Sequence, residues 1–300
     1  MSTAARAGTR APTGTGVSSA FGTFGELLQG VLPDGVDFLV TLPIARWATA
    51  SFETRAAPAV EVRPAHKTKA HQLVTAMLEA YDVRVGGRLT LSGTIPEGKG
   101  LASSSADLVA TARAVANAIG VRLTGGDIER FLRDIEPTDG VMYPEVVAFE
   151  HRVVRLRARL GPLPPLTIVG VDEGGTVDTI AFNRIPKPFT ADVRAEYARL
   201  LGDLEAAVPM NDLVALGRVA TRSAYLNQAL RPKRTLTAMA AVCAEVGGIG
   251  LAVAHSGTAI GILLPHQAPG YERRLDLAVR RCAALGDQVL LYHSLSVNPT

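Results

Sequence analysis

Between a strand-like run ending at Thr94 and a helical stripe opening near Ser103 stands one dense loop. It reads Gly93-Thr94-Ile95-Pro96-Glu97-Gly98-Lys99-Gly100-Leu101-Ala102-Ser103-Ser104-Ser105-Ala106-Asp107. Before it, Leu89 and Leu91 alternate with Arg88, Thr90 and Ser92, the period of a half-buried strand. After it, Leu101, Leu108, Val109, Ala112, Val115, Ala116 and Ile119 form one apolar stripe, which Gly120 closes as a C-cap. Gly98 and Gly100 let the backbone turn sharply and approach an anion. The free N–H groups and dipole of the following helix favour negative charge there. Lys99 adds a mobile cation and Ser103, Ser104 and Ser105 add hydroxyls, which together are what a polyphosphate needs. Two familiar loops fail in detail. Gly93 to Lys99 spells G-x-x-x-x-G-K, but Gly100 stands where a Walker loop has Ser or Thr. Gly98-x-Gly100 starts a dinucleotide fingerprint, but Ser103 takes the third glycine's place and no βαβ pattern surrounds it. Helix capping by Ser104-x-x-Asp107 is the competing reading, although it leaves the two glycines around Lys99 unexplained.

Strand and helix signals are mixed along the chain without regular alternation, so the expected class is α+β. Strands are expected over Val36–Ile44 and Arg46–Phe52, with Pro43 at a break or an edge position, and helical spacing runs from His66 to Val83. Further helices are expected near 126–135, 190–206, 211–230, 234–246 and 267–285. Strands are expected at Leu166–Val171, Gly250–Ala254, Thr258–Leu264 and Gln288–His293. Residues 1–20, rich in Ala, Gly, Ser, Thr and Pro, read as a disordered tail; Gly8, Pro12, Gly14 and Gly16 would break a transit-peptide helix. The Gly161-Pro162-Leu163-Pro164-Pro165 run suggests domains at 21–160 and 161–300.

A formal charge of +3 from 31 basic and 28 acidic residues gives no support to nucleic-acid binding. Cys243 and Cys282 cannot build a disulfide framework or a cysteine-rich zinc site, which suits a reducing cytoplasm. The best apolar stretch, Leu251–Leu264, is interrupted by His255, Ser256 and Thr258, so no membrane span is expected.

The loop Pro96-Glu97-Gly98-Lys99-Gly100-Leu101-Ala102-Ser103-Ser104-Ser105 resembles the P-x-x-x-G-L-x-S-S-A hallmark of the GHMP small-molecule kinases, with Ser105 where many members have Ala. Three other stretches resemble the propanediol-utilisation branch, the L-threonine kinases. These are Gly22-Thr23-Phe24-Gly25-Glu26-Leu27-Leu28-Gln29-Gly30, Glu136-Pro137-Thr138-Asp139-Gly140-Val141-Met142-Tyr143-Pro144 and Ala254-His255-Ser256-Gly257-Thr258. The last has fewer glycines than the family's usual third motif.

The resemblance implies a two-domain α+β fold with the active site in the cleft between domains, and ATP and Mg2+ as cofactors. By the same resemblance Pro96, Gly98, Lys99, Gly100, Leu101, Ala102, Ser103, Ser104 and Ser105 would hold the nucleotide. Ser104 would sit on magnesium together with Glu136, Glu129 being the other candidate carboxylate. Asp139 matches the catalytic aspartate, with Lys99 stabilising developing charge; on its residues alone, Thr138-Asp139-Gly140 is ordinary turn chemistry. Glu26 and Gln29, with Asp139, Ser256 and Gly257, would contact the acceptor, while His255 reads as structural. The expected activity is phosphorylation of a small hydroxylated metabolite, with L-threonine or a related hydroxy-amino acid as the leading acceptor. Homoserine, a secondary-metabolite alcohol, or a catalytically silent nucleotide-binding protein are the alternatives. A homodimer stays open.

Overall fold

The computed structural model describes residues 14–175, 185–286 and 288–296. The chain opens with two long antiparallel strands, β1 (Thr15–Val31) and β2 (Asp37–Arg55), followed by β3 (Val60–Arg63), α1 (Thr68–Ala80), β4 (Gly86–Gly93), α2 (Ser103–Ile119) and α3 (Gly125–Leu132). A pair β5 (Val146–Glu150) and β6 (Arg155–Gly161) closes the first half. The second half contains β7 (Leu166–Asp172), α4 (Ala191–Ala207), α5 (Leu213–Leu226), a 3-10 turn (Asn227–Ala229) and α6 (Leu236–Val246). It ends with β8 (Gly250–Val253), β9 (Ala259–Pro265), α7 (Tyr271–Ala283) and β10 (Val289–His293).

The described residues form a sheet ordered β10-β7-β9-β8-β1-β2-β4-β3, with β5 and β6 branching from β2. Only β3–β4 pairs parallel among these neighbours. This is the expected α+β class rather than a doubly wound sheet. The two halves of the sheet meet at β1 and β8, where the register holds the single pair Glu26↔Val253. Just there β1 is irregular, with register shifts against β2 between Thr23 and Glu26 and between Glu26 and Leu28. Such bulges re-aim side chains, and here they turn Glu26 toward the cavity described below.

Three buried clusters make the core. One lies between α1, α2 and the β1–β2–β4 face, with Phe52, Leu73, Met77, Leu89 and Val109. A second joins Phe24, Leu28 and Phe38 of the first half to Tyr197, Leu204, Leu216 and Leu290 of the second. The third packs α6 and α7 on β7–β9 through Met239, Val242, Ile262 and Cys282. Both cysteines are free and buried.

Two expectations need correcting. Residues 15–20 are not part of a tail: they open β1, and residues 1–13 lie outside the described residues. The glycines that looked like disorder signals are demanded by packing. A methyl group at Gly14 would lie 2.1 Å from the Ala118 carbonyl, and one at Gly16 2.0 Å from that of Ala114, so β1 runs directly on the backbone of α2. Pro43 does not break the following strand either. It sits opposite Thr23 within β2, beside a register shift, and its carbonyl accepts from Leu295 N at 2.9 Å. No helix among the described residues is long and apolar enough to cross a membrane.

Candidate active site

The loop between β4 and α2 is shaped by its backbone. Gly98 and Gly100 have φ of 71° and 77°, and Ala102 at 58° caps α2 from the left-handed region. None of the three serines caps the helix: they form its first turn, and Ala102 takes the N-cap position. The capping-box alternative is absent: Asp107 is instead bound by Lys67 Nζ at 2.6 Å. The N-terminus of α2 therefore carries no side-chain acceptor of its own.

The loop is held from two sides. Thr23 N donates to Leu101 O at 3.2 Å, and Thr258 N donates to Lys99 O at 3.4 Å. On the second side the β8–β9 turn presses backbone to backbone. A methyl at Gly100 would lie 2.8 Å from Gly257 Cα, and one at Gly257 would lie 2.0 Å from Lys99 O. Gly257 thus backs the loop from behind, and Lys233 Nζ holds its carbonyl at 2.8 Å. Burial pulls the Lys233 ammonium down to about 8.

Ser104 and Ser105 each address one carboxylate. Ser104 Oγ donates to Glu136 Oε1 at 2.6 Å, while Lys69 Nζ binds Oε2 of the same group. Ser105 Oγ accepts from Asp139 N at 3.1 Å and donates to Asp139 Oδ2 at 3.3 Å. Burial pushes the Asp139 carboxyl up to about 7, and the nearby Glu26 and Glu136 carboxylates add to the shift. Glu26 itself is tied to His255, whose N–H donates to Glu26 Oε2 at 3.2 Å and whose Nδ1 lies 2.7 Å from the same oxygen. His255 Nε2 lies 2.7 Å from Ser223 Oγ, which accepts from Gln29 N at 3.3 Å. His255 is therefore the hub of a buried network beneath β1, in keeping with a structural part.

These groups surround a cavity of about 350 Å³, within the usual size range of small-molecule sites. Glu26, Gln29, Gly98, Gly100, Leu101, Ala102, Ser103, Ser104, Ser105, Glu136, Asp139 and Ser256 all line it. Four expected residues do not. Lys99 turns its ammonium to Asp172 Oδ2 at 2.6 Å and to Gly175 O at 2.8 Å, because a carboxylate on β7 lies within reach and the loop carbonyl faces the β8–β9 turn. Pro96 is exposed and off the cavity wall, and Gly257 lies behind the loop. Glu129 accepts from Tyr143 OH at 2.7 Å and from Leu156 N at 3.0 Å, anchoring α3 away from the cavity. Of the two candidate carboxylates, Glu136 is the one beside Ser104.

Sequence reasoning missed the cations that do face the cavity. Lys67 and Lys69 open α1, and Lys67 pairs with Glu97 at 2.7 Å as well as with Asp107. A signal was present: lysines in the first turn of a helix oppose its dipole, a local cost that begs another reason. His151, also in the wall, carried no sequence signal, and Thr138 stood in the stretch around Asp139 with no part of its own.

The site fits a magnesium nucleotide on its own chemistry. Left-handed backbone at Gly98, Gly100 and Ala102 leaves a concave loop beside an uncapped helix. Among the described residues no group of three His, Cys, Asp or Glu side chains is placed to hold a metal. One serine and one carboxylate, as at Ser104 and Glu136, suit Mg2+, which keeps waters and takes its other oxygens from phosphates.

Comparison with known proteins agrees with this geometry. Residues 68–143 match the GHMP kinases N terminal domain. The chain is 30% identical over 242 residues to an L-threonine kinase of Salmonella typhimurium, 80% of each chain being covered. It is 29% identical over 241 residues to an L-threonine kinase of Citrobacter freundii, covering 80% of this chain and 83% of that one. In fold it is similar to a homoserine kinase from Cytophaga hutchinsonii, with a TM-score of 0.71, 16% identity and 97% of each chain covered. It is also similar to the L. major mevalonate kinase, with a TM-score of 0.67, 15% identity and 95% and 96% coverage.

Proposed function

This chain belongs to the GHMP kinases, ATP-dependent enzymes that phosphorylate the hydroxyl of a small metabolite, and on that premise we propose that its acceptor is L-threonine. The observation that carries the reading is the pairing of adjacent serines with two carboxylates, Ser104 with Glu136 and Ser105 with Asp139, at the uncapped start of α2. The two relatives at about 30% identity, each covering 80% of the chain, are L-threonine kinases, which supports the choice of acceptor.

In this reading the loop Gly98–Ser103 and the first N–H groups of α2 receive the polyphosphate. Ser104 and Glu136 would hold Mg2+, which would neutralise charge on the phosphoryl group that ATP supplies. Lys67 and Lys69 add positive charge at the same end, a part the sequence had given to Lys99. Asp139 orients the acceptor hydroxyl and takes its proton. A carboxyl lifted toward neutrality is matched to that task, and Ser105 fixes its rotamer. Holding hydroxyl and phosphoryl group in line within one cavity supplies most of the remaining acceleration.

The test is ADP release with L-threonine, L-serine, L-homoserine, mevalonate and galactose as acceptors. L-threonine should give the highest kcat/KM. Another acceptor ahead by tenfold would overturn the choice of substrate.

A further inference from the structure

Three side chains in the cavity wall carry polar atoms with no hydrogen-bond partner among the described residues. His151 is 4% exposed, and neither of its ring nitrogens is hydrogen-bonded. Thr138, 2% exposed, has an unpartnered hydroxyl, and Gln29 Oε1 is likewise unpartnered. Leaving such groups unpaired in a buried wall is unfavourable, so they call for a ligand that pairs them. All three line the cavity that holds Asp139 and Glu26. His151 O also accepts from Thr138 N at 3.1 Å, so the histidine is tied to the turn that carries Asp139.

What these atoms require of a ligand follows from their chemistry. Gln29 Oε1 can only accept, and it shares a strand with the Glu26 carboxylate, so that side favours a cation. The Thr138 hydroxyl can donate, and so can one nitrogen of a neutral imidazole. Burial, reinforced by the charges of Arg152 and Lys187, pulls His151 down to about 3, so the ring is neutral and its surroundings favour an anion. We propose that the acceptor is held as a zwitterion, its ammonium on Gln29 Oε1 and Glu26 and its carboxylate on a His151 ring N–H and the Thr138 hydroxyl. His151 is then a specificity-determining residue that separates amino acids from other alcohols. The inference rests on the amino-acid acceptor proposed above and deepens it.

The test measures binding, by titration calorimetry in the presence of a non-hydrolysable ATP analogue. The ligands are L-threonine, its decarboxylated analogue 1-amino-2-propanol and its deaminated analogue 3-hydroxybutyrate. His151→Leu should weaken L-threonine by about ten- to hundredfold and leave 1-amino-2-propanol within about threefold. His151→Gln, which keeps an N–H donor, should recover most of the loss, and Gln29→Met should spare 3-hydroxybutyrate in the same selective way. A structural role would weaken every ligand alike, so an equal loss for L-threonine and 1-amino-2-propanol overturns the proposal. Failure of the parent protein to bind any hydroxy-amino acid overturns it too. Selective binding without phosphoryl transfer to that amino acid would support it while defeating the acceptor assigned above.

Discussion

At the scale of single residues, Asp139 sets function against stability. Burial, with Glu26 and Glu136 adding to it, pushes its carboxyl up from the ordinary 3.8 to about 7. The folded state therefore holds the proton more tightly than the unfolded chain. Its contribution to stability is complete below about pH 4 and is lost as pH rises toward 7. Asp139→Asn removes that loss, so at pH 8 the ligand-free variant should be more stable by about 1–3 kcal/mol, and its stability should vary less between pH 4 and 7. Turnover should fall by about 10²–10⁴-fold with nucleotide binding intact. Denaturant melts at several pH values and steady-state assays check both, and turnover within a few-fold of the parent would remove Asp139 from the chemistry. The lysines offer a second contrast. Lys69 binds Glu136 within the cavity wall, whereas Lys99 binds Asp172 outside it. Lys69→Met should lower kcat/KM for ATP by at least about tenfold and Lys99→Met by no more than about threefold, reflecting a charge-assisted contact present in one case only. Legibility at this scale is uneven. That Ser104 and Asp139 share one site was readable because the motifs that carry them resemble a known family, whereas Glu136 and Glu129 stayed open as its carboxylate; a lysine's direction depends on which carboxylate the fold brings within reach, and Asp172 is 73 residues away in sequence.

At the scale of elements, the strand–loop–helix unit was legible and the strand ahead of it was not. The helix from Ser103 to Ile119, closed by Gly120, emerges as its apolar stripe foretells. The start of β1 was hidden because Gly14 and Gly16 mimic disorder, and the close approach of α2 explains them. The two kinds of buried glycine should behave differently when enlarged. Gly16→Ala forces a methyl against the Ala114 carbonyl and separates β1 from α2, so Tm should fall while KM for ATP stays within about twofold. Gly257→Ala forces a methyl against Lys99 O and displaces the phosphate loop itself, so KM for ATP should rise by at least about tenfold alongside any loss of Tm. Thermal melts paired with ATP kinetics distinguish the two. Equal kinetic effects from both variants would mean that the β8–β9 turn does not shape the loop.

At the scale of the whole molecule, the question is whether the proline-rich run after β6 marks a real seam. Among the described residues the sheet crosses between the halves at the pair Glu26↔Val253 and an isolated bridge Ile44↔Ser294, which by themselves are a weak joint. The side chains tell another story. Phe24, Leu27, Leu28 and Phe38 from β1 and β2 are fully buried in a cluster shared with Tyr197, Leu204, Leu216 and Leu290. Exposing even those four would forfeit about 1.5–3 kcal/mol apiece, comparable with the 5–15 kcal/mol that keeps a typical domain folded. The cavity has the same character, since Ser256 from the β8–β9 turn stands opposite residues of β1, α1 and α2. We therefore expect one cooperative calorimetric transition for the full chain, shifted upward as a whole by nucleotide: binding at a hundred times Kd adds about 2.7 kcal/mol. A fragment ending at residue 160 should bind a hydrophobic dye strongly and melt without cooperativity, because β1 and β2 would show their second face to water. A fragment that unfolds cooperatively, without dye binding, would instead make the first half an independent domain and the shared cluster a mere interface.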